Sequence, residues 1–100
     1  MASHVKRKNE LSLAEAIGHL IDGAGMRERM DELDIASWWD EVAGGMVARH
    51  TTSIRLRGGR LLVRVDSAPL RHELTFLREQ IKERLNERAG RILVDAVVLE

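Results

Sequence analysis

The chain has 100 residues, 44% of them hydrophobic and 32% charged, which suits one soluble globular domain with a small core. Lys and Arg number 16 against 16 Asp and Glu, so only the distribution of charge can argue for a polyanionic partner. There is no cysteine, hence no disulfide framework, thiol nucleophile or thiolate metal site, and no apolar run approaches the ~20 residues of a membrane span.

Residues 1–10 read as a flexible basic arm, separate from a single domain over 11–100. Lys6, Arg7 and Lys8 cluster there without apolar periodicity. Such a terminus is ordinarily solvated, and its functional reading is an arm that touches phosphates. The start has charges but no hydrophobic signal segment, so a cytoplasmic location is expected. Ser12 to Glu15 form a capping box, and a helix over about Leu13–Asp22 follows, with Leu13, Ala16, Ile17, Leu20 and Ile21 as its apolar stripe. Gly23 and Gly25 end it.

Met26 to Leu33 reads as a short helical turn with Met26, Met30 and Leu33 inward. A second main helix is expected from an N-cap at Asp34 to about Arg49. At about 100° per residue, Ile35, Val42, Ala43, Met46 and His50 fall on the same side as Trp39, which makes Trp39 a structural core residue. Trp38 falls at the edge of that stripe. It is either a half-buried boundary residue or an aromatic anchor for a protein partner. Gly44 and Gly45 interrupt the helix, and a close approach of another backbone to this pair is the expected reason.

Thr51 to Asp66 reads as a β-hairpin closed by Gly58 and Gly59, since both central positions of a tight loop can require positive φ. Pairing across that loop sets Arg57 opposite Arg60, Leu56 opposite Leu61, Arg55 opposite Leu62 and Ile54 opposite Val63. One face then carries Ile54, Leu56, Leu61, Val63 and Val65. The other carries Arg55, Arg57, Arg60 and Arg64 with Leu62 among them, and a one-residue slip would mix the sets.

Asp66 or Ser67 caps a long third helix with Pro69 in its first turn. Leu70, Leu74, Leu77, Ile81 and Leu85 form the stripe that covers the hairpin's apolar face, and Gly90 ends the helix. Ile92 to Leu99 is a third strand running the same way as Leu61 to Val65. It lies either beside that strand or on the far side of the first. The expected fold is α+β, in the order α-α-β-β-α-β, with a three-stranded sheet and helices packed on one face.

No catalytic constellation is visible. His4, His19, His50 and His72 are scattered and form no i, i+4 pair, which argues against a metal site, and no Gly-rich phosphate loop precedes a lysine. No cofactor is expected. Two features could bind something. The four arginines of the outer hairpin face could hold a nucleic-acid backbone, although no aromatic residue accompanies them for base stacking, and they could equally serve as solubilising charges. Trp38 with its helix flank is the candidate protein-binding surface.

Trp39, Val42, Gly44 and His50-Thr51, then Leu61, Val63, Val65 and Ser67, then Glu73-Leu74, together resemble the DciA-type domain of bacterial replicative-helicase loaders, in its short stand-alone form. The resemblance extends from about Leu11 to Leu99. It implies a K-homology-like fold and a non-enzymatic replication adaptor. Its partners would be the DnaB-type replicative helicase and, weakly, single-stranded DNA. Two departures accompany it: Leu70 stands where many relatives carry an aromatic residue, and the Gly-x-x-Gly loop of true K-homology domains is absent. A general single-stranded DNA or RNA binder without a helicase partner is the alternative. A monomer is expected, with pairing through an exposed strand edge as the competing arrangement.

Overall fold

In a computed structural model, which describes residues 25–100, the central hairpin forms as the sequence alternation requires. Strands β1 (Thr51–Arg57) and β2 (Arg60–Val65) pair antiparallel with Arg57 opposite Arg60, Leu56 opposite Leu61 and Arg55 opposite Leu62. Gly58 and Gly59 turn the chain at φ of 57° and 80°, a region that costs side-chain-bearing residues energy. A Cβ on Gly59 would also collide with the Asp95 carboxylate. At the base, Thr51 faces Val65 and Ser53 faces Arg64, so Thr52 is the extra residue of a bulge. Beyond it, the Asp66 N–H donates to the His50 carbonyl at 2.9 Å.

The third strand, β3 (Ala96–Leu99), lies beside β2 and parallel to it, giving the order β1-β2-β3. It is shorter than the expected Ile92–Leu99. A side chain rather than a ladder holds the residues before it. Asn86 Oδ1 accepts from the N–H groups of Leu93 and Val94, each at 2.8 Å, and Asn86 Nδ2 donates to the Val94 carbonyl at 2.9 Å. Leu93 and Val94 are therefore buried outside any strand, while Ile92 points to solvent.

The described residues also form four helical segments: α1 (Met26–Ala43), α2 (Gly45–His50), α3 (Ala68–Thr75) and α4 (Arg78–Ala89). Three expectations are corrected here. First, Met26–Leu33 is no separate turn. It forms the first two turns of α1, which runs unbroken past Asp34. Met26, Met30 and Leu33, expected inward, are exposed. The inward positions go to carboxylates because the free edge of β1 and the loop present backbone donors that need partners. Glu32 Oε2 accepts from the Leu56 N–H at 3.0 Å and from Arg57 Nη1 at 3.0 Å, and Glu28 Oε2 accepts from the Gly58 N–H at 2.9 Å.

Second, the helix does not continue through Gly44. That residue sits at φ 95°, ψ 153°, and nothing lies within 4 Å of where a Cβ would stand. Conformational freedom, not the expected close approach, is what the position uses. The break turns Met46 and His50 outward, away from the buried Ile35, Trp39 and Val42.

Third, the single helix expected from Ser67 to Gly90 is two. Ser67 is the N-cap, its Oγ accepting from the Leu70 N–H at 3.4 Å. After Thr75 the bonds tighten: the N–H groups of Phe76 and Leu77 donate to the carbonyls of Glu73 and Leu74 at 3.2 and 2.9 Å. Thr75 Oγ1 donates back to the Arg71 carbonyl, and Arg78 Nε takes the Thr75 carbonyl, each at 3.1 Å. These side chains compete with the helical ladder and bend it without Gly or Pro. Leu77 consequently leaves the apolar stripe and is exposed together with Phe76, whereas Leu74, Ile81 and Leu85 are buried.

The fold is thus α+β, in the order α-α-β-β-α-β with the last helical stretch divided. The helices cover the sheet face formed by Leu56, Leu61, Val63 and Val65. The basic arm over residues 1–10 and the helix expected over 13–22 lie outside the described residues.

Candidate nucleic-acid interface

Among the described residues, the helices leave the other sheet face to solvent. The register places three rows across it: Arg57–Arg60–Ala96, Arg55–Leu62–Val98, and Ser53–Arg64 with Glu100 beside Arg64. Glu100 continues the ladder, donating its N–H to the Val63 carbonyl at 2.9 Å and accepting from the Val65 N–H at 3.2 Å. Each strand thus delivers side chains to this face at every second residue. The face is arginine-rich around a half-buried apolar centre of Leu62 and Val98.

The structure brings the four predicted arginines to one face but gives them different surroundings. Arg57 turns toward α1: its Nη1 donates to Glu32 Oε2 at 3.0 Å and to the Leu56 carbonyl at 2.8 Å, with Glu28 at 3.9 Å. Arg55 and Arg64 share Glu100, with Nη2 to carboxylate oxygen distances of 3.6 and 3.5 Å. Arg60 is exposed and has no ion pair among the described residues. Guanidinium groups that reach water on an open face can exchange one anion for another. Phosphate oxygens fit them because the planar fork donates two parallel hydrogen bonds. Among the described residues the face carries no aromatic ring, so they can hold a backbone but offer no stacking platform. Lys6, Arg7 and Lys8 lie outside the described residues.

The two tryptophans belong to the helical side. Trp39 is 3% exposed, and its indole N–H donates to Thr51 Oγ1 at 3.0 Å; that hydroxyl donates in turn to the Val47 carbonyl at 2.7 Å. This chain of bonds ties α1 to α2 and the start of β1. Trp38 is half-buried, with the Arg88 guanidinium 5.7 Å above its ring and Arg88 paired to Glu41. Trp38, Glu41 and Arg88 form one patch shared by α1 and α4, remote from the arginine face.

Among the described residues no charged or polar residue is buried, and no group of His, Asp and Glu converges as metal ligands. No described helix is long and apolar enough to cross a membrane.

Sequence reasoning missed Glu28, Glu32, Asn86 and Glu100. Glu28 and Glu32 stand one helical turn apart, a spacing visible in the sequence, but the hairpin edge they serve was not. Glu100 follows Ala96 and Val98 in strand alternation. It becomes meaningful only once β3 is known to lie beside β2.

The chain matches the family model described as Dna[CI] antecedent, DciA, over residues 12–99. No curated protein and no solved structure matches it. The matched range takes in both the arginine face and the Trp38 patch, and the family has a loader-type role for the DnaB helicase in replication. A match from the first expected helix to the last strand makes this chain a member of the DciA family.

Proposed function

We propose that the protein is a non-enzymatic adaptor that binds the DnaB-type replicative helicase and assists its loading on single-stranded DNA. Family membership over residues 12–99 is the observation that carries this reading. The exposed arginine face supports a weak, sequence-independent grip on the DNA backbone, with Arg55, Arg60 and Arg64 toward phosphate and Lys6, Arg7 and Lys8 as helpers. Arg57 contributes less because Glu32 and the Leu56 carbonyl already hold it. The helicase docks on the helical side, where Trp38 is the anchor. Trp39, Gly44, Gly58 and Gly59 serve the fold. The protein acts in the cytoplasm as a monomer.

The test is a titration of the purified chain against the replicative helicase of its own organism, with and without a fluorescent single-stranded oligonucleotide, at low and moderate salt. Helicase binding that persists as salt rises, and that Trp38→Ala weakens, is the expected result. DNA binding alone, fading steeply with salt, would replace this reading with a general single-stranded nucleic-acid binding module. That second reading has the arginine face itself in its favour.

A further inference from the structure

Glu100 makes the arginines of the outer face unequal. Its backbone is held in the ladder by bonds to Val63 and Val65, at 2.9 and 3.2 Å. The same bonds that align the chain after β3 with β2 put its carboxylate on the outer face. One carboxylate oxygen lies 3.6 Å from Arg55 Nη2 and the other 3.5 Å from Arg64 Nη2. Two guanidinium groups from neighbouring strands therefore converge on one anion. Both remain accessible, 47% and 62% exposed against 33% for the Glu100 side chain. The distances are long for charge-assisted bonds, and exposed pairs of this kind are weak, so the carboxylate can be exchanged.

We propose that Arg55 and Arg64 form a phosphodiester site whose resident anion in the free protein is the Glu100 carboxylate. This rests on the nucleic-acid reading of the arginine face. A phosphate group carries the charge and the acceptor oxygens that the two guanidinium groups already gather around. Arg60, outside any ion pair among the described residues, makes the first contact with the strand. Full engagement then requires Glu100 to swing off Arg55 and Arg64. Glu100 thus lowers the affinity of the face for any single-stranded backbone and keeps the grip weak.

The experiment uses the full chain and a fluorescent oligothymidylate, read by anisotropy across a salt series. Glu100→Gln is expected to tighten binding about three- to tenfold at low salt, the scale of two exposed ion pairs. The log–log salt slope should steepen by about one, as more phosphates are neutralised. In an Arg55→Gln/Arg64→Gln background the same change should do nothing. Glu83→Gln, at an exposed position on α4, removes one negative charge elsewhere and should leave affinity unchanged. If Glu83→Gln tightens binding as much as Glu100→Gln, bulk charge is the cause and the proposal is overturned. If Glu100→Gln has no effect while Arg55→Gln/Arg64→Gln weakens binding, the face binds nucleic acid but Glu100 does not occupy the site. If neither these variants nor Arg60→Gln alters binding, the nucleic-acid reading of the face falls with it. A thermal melt of Glu100→Gln checks the fold, and the bonds of Glu100 to Val63 and Val65 are backbone bonds that the substitution leaves intact.

Discussion

Asn86→Ala removes the side chain that docks the segment before β3. Three hydrogen bonds disappear together: two accepted from the Leu93 and Val94 N–H groups and one donated to the Val94 carbonyl. Leu93 is 7% exposed and Val94 0%, so water replaces little of what is lost. A hydrogen bond contributes about 1 kcal/mol net, and a buried group left without its partner costs about 1–3 kcal/mol. Three bonds at a half-buried asparagine therefore sum to about 2–4 kcal/mol. That is a large part of the ~5–15 kcal/mol that holds a small domain folded. At ~4–8 °C per kcal/mol for a domain of this size, the melting temperature should fall by roughly 8–32 °C. Urea and thermal unfolding followed by circular dichroism would measure it. Asn86→Asp keeps the acceptor for both N–H groups and should fall between wild type and alanine. A loss below about 0.5 kcal/mol for Asn86→Ala would place it with ordinary surface changes and refute the account of how this segment is held.

Other substitutions separate fold from function. Gly59→Ala should cost more than Gly58→Ala in chemical denaturation, because φ 57° at Gly58 lies in the left-handed region an L-residue can adopt, φ 80° at Gly59 lies beyond it, and the Asp95 carboxylate must also swing aside for a Cβ there. Arg57→Gln should lower stability by about 1 kcal/mol and barely change oligonucleotide affinity, whereas Arg60→Gln should do the reverse; anisotropy and melting on the same two samples decide it. Trp39→Phe removes the bond to Thr51 and should destabilise by about 1–2 kcal/mol. Lost partner binding at unchanged melting temperature would show instead that Trp39 touches a partner directly.

Much of this molecule was legible without coordinates, and the hairpin shows why. Its register follows from two local signals, a Gly-Gly loop and strict alternation, and both are properties of neighbouring residues. The same holds for Ile35, Trp39 and Val42 at helical spacing, for a cap at Asp66 or Ser67, of which the structure uses Ser67, and for the termination at Gly90, which adopts φ 71°. These signals were enough to place four arginines on one surface and two tryptophans on another element.

Some failures involve partners distant in sequence, whereas the helix breaks at Gly44 and Thr75 are local but unannounced by the apolar pattern. Apolar character alone points Met26, Met30 and Leu33 inward. They lost to Glu28 and Glu32, which answer backbone donors of Leu56 and Gly58. The break at Thr75 turns on Arg78 taking a carbonyl in the next turn, with no Gly or Pro to announce it. Which side of the hairpin β3 would join was undetermined by direction alone. Asn86 and the ladder to β2 decide it, and with it the position of Glu100 over Arg55 and Arg64. Local chemistry in the sequence thus determined the hairpin, its two faces and the location of the basic surface, but not where the helices start and break. Only the tertiary structure determined which of its charges are already spoken for, because a counter-ion is chosen by distance in space and not along the chain.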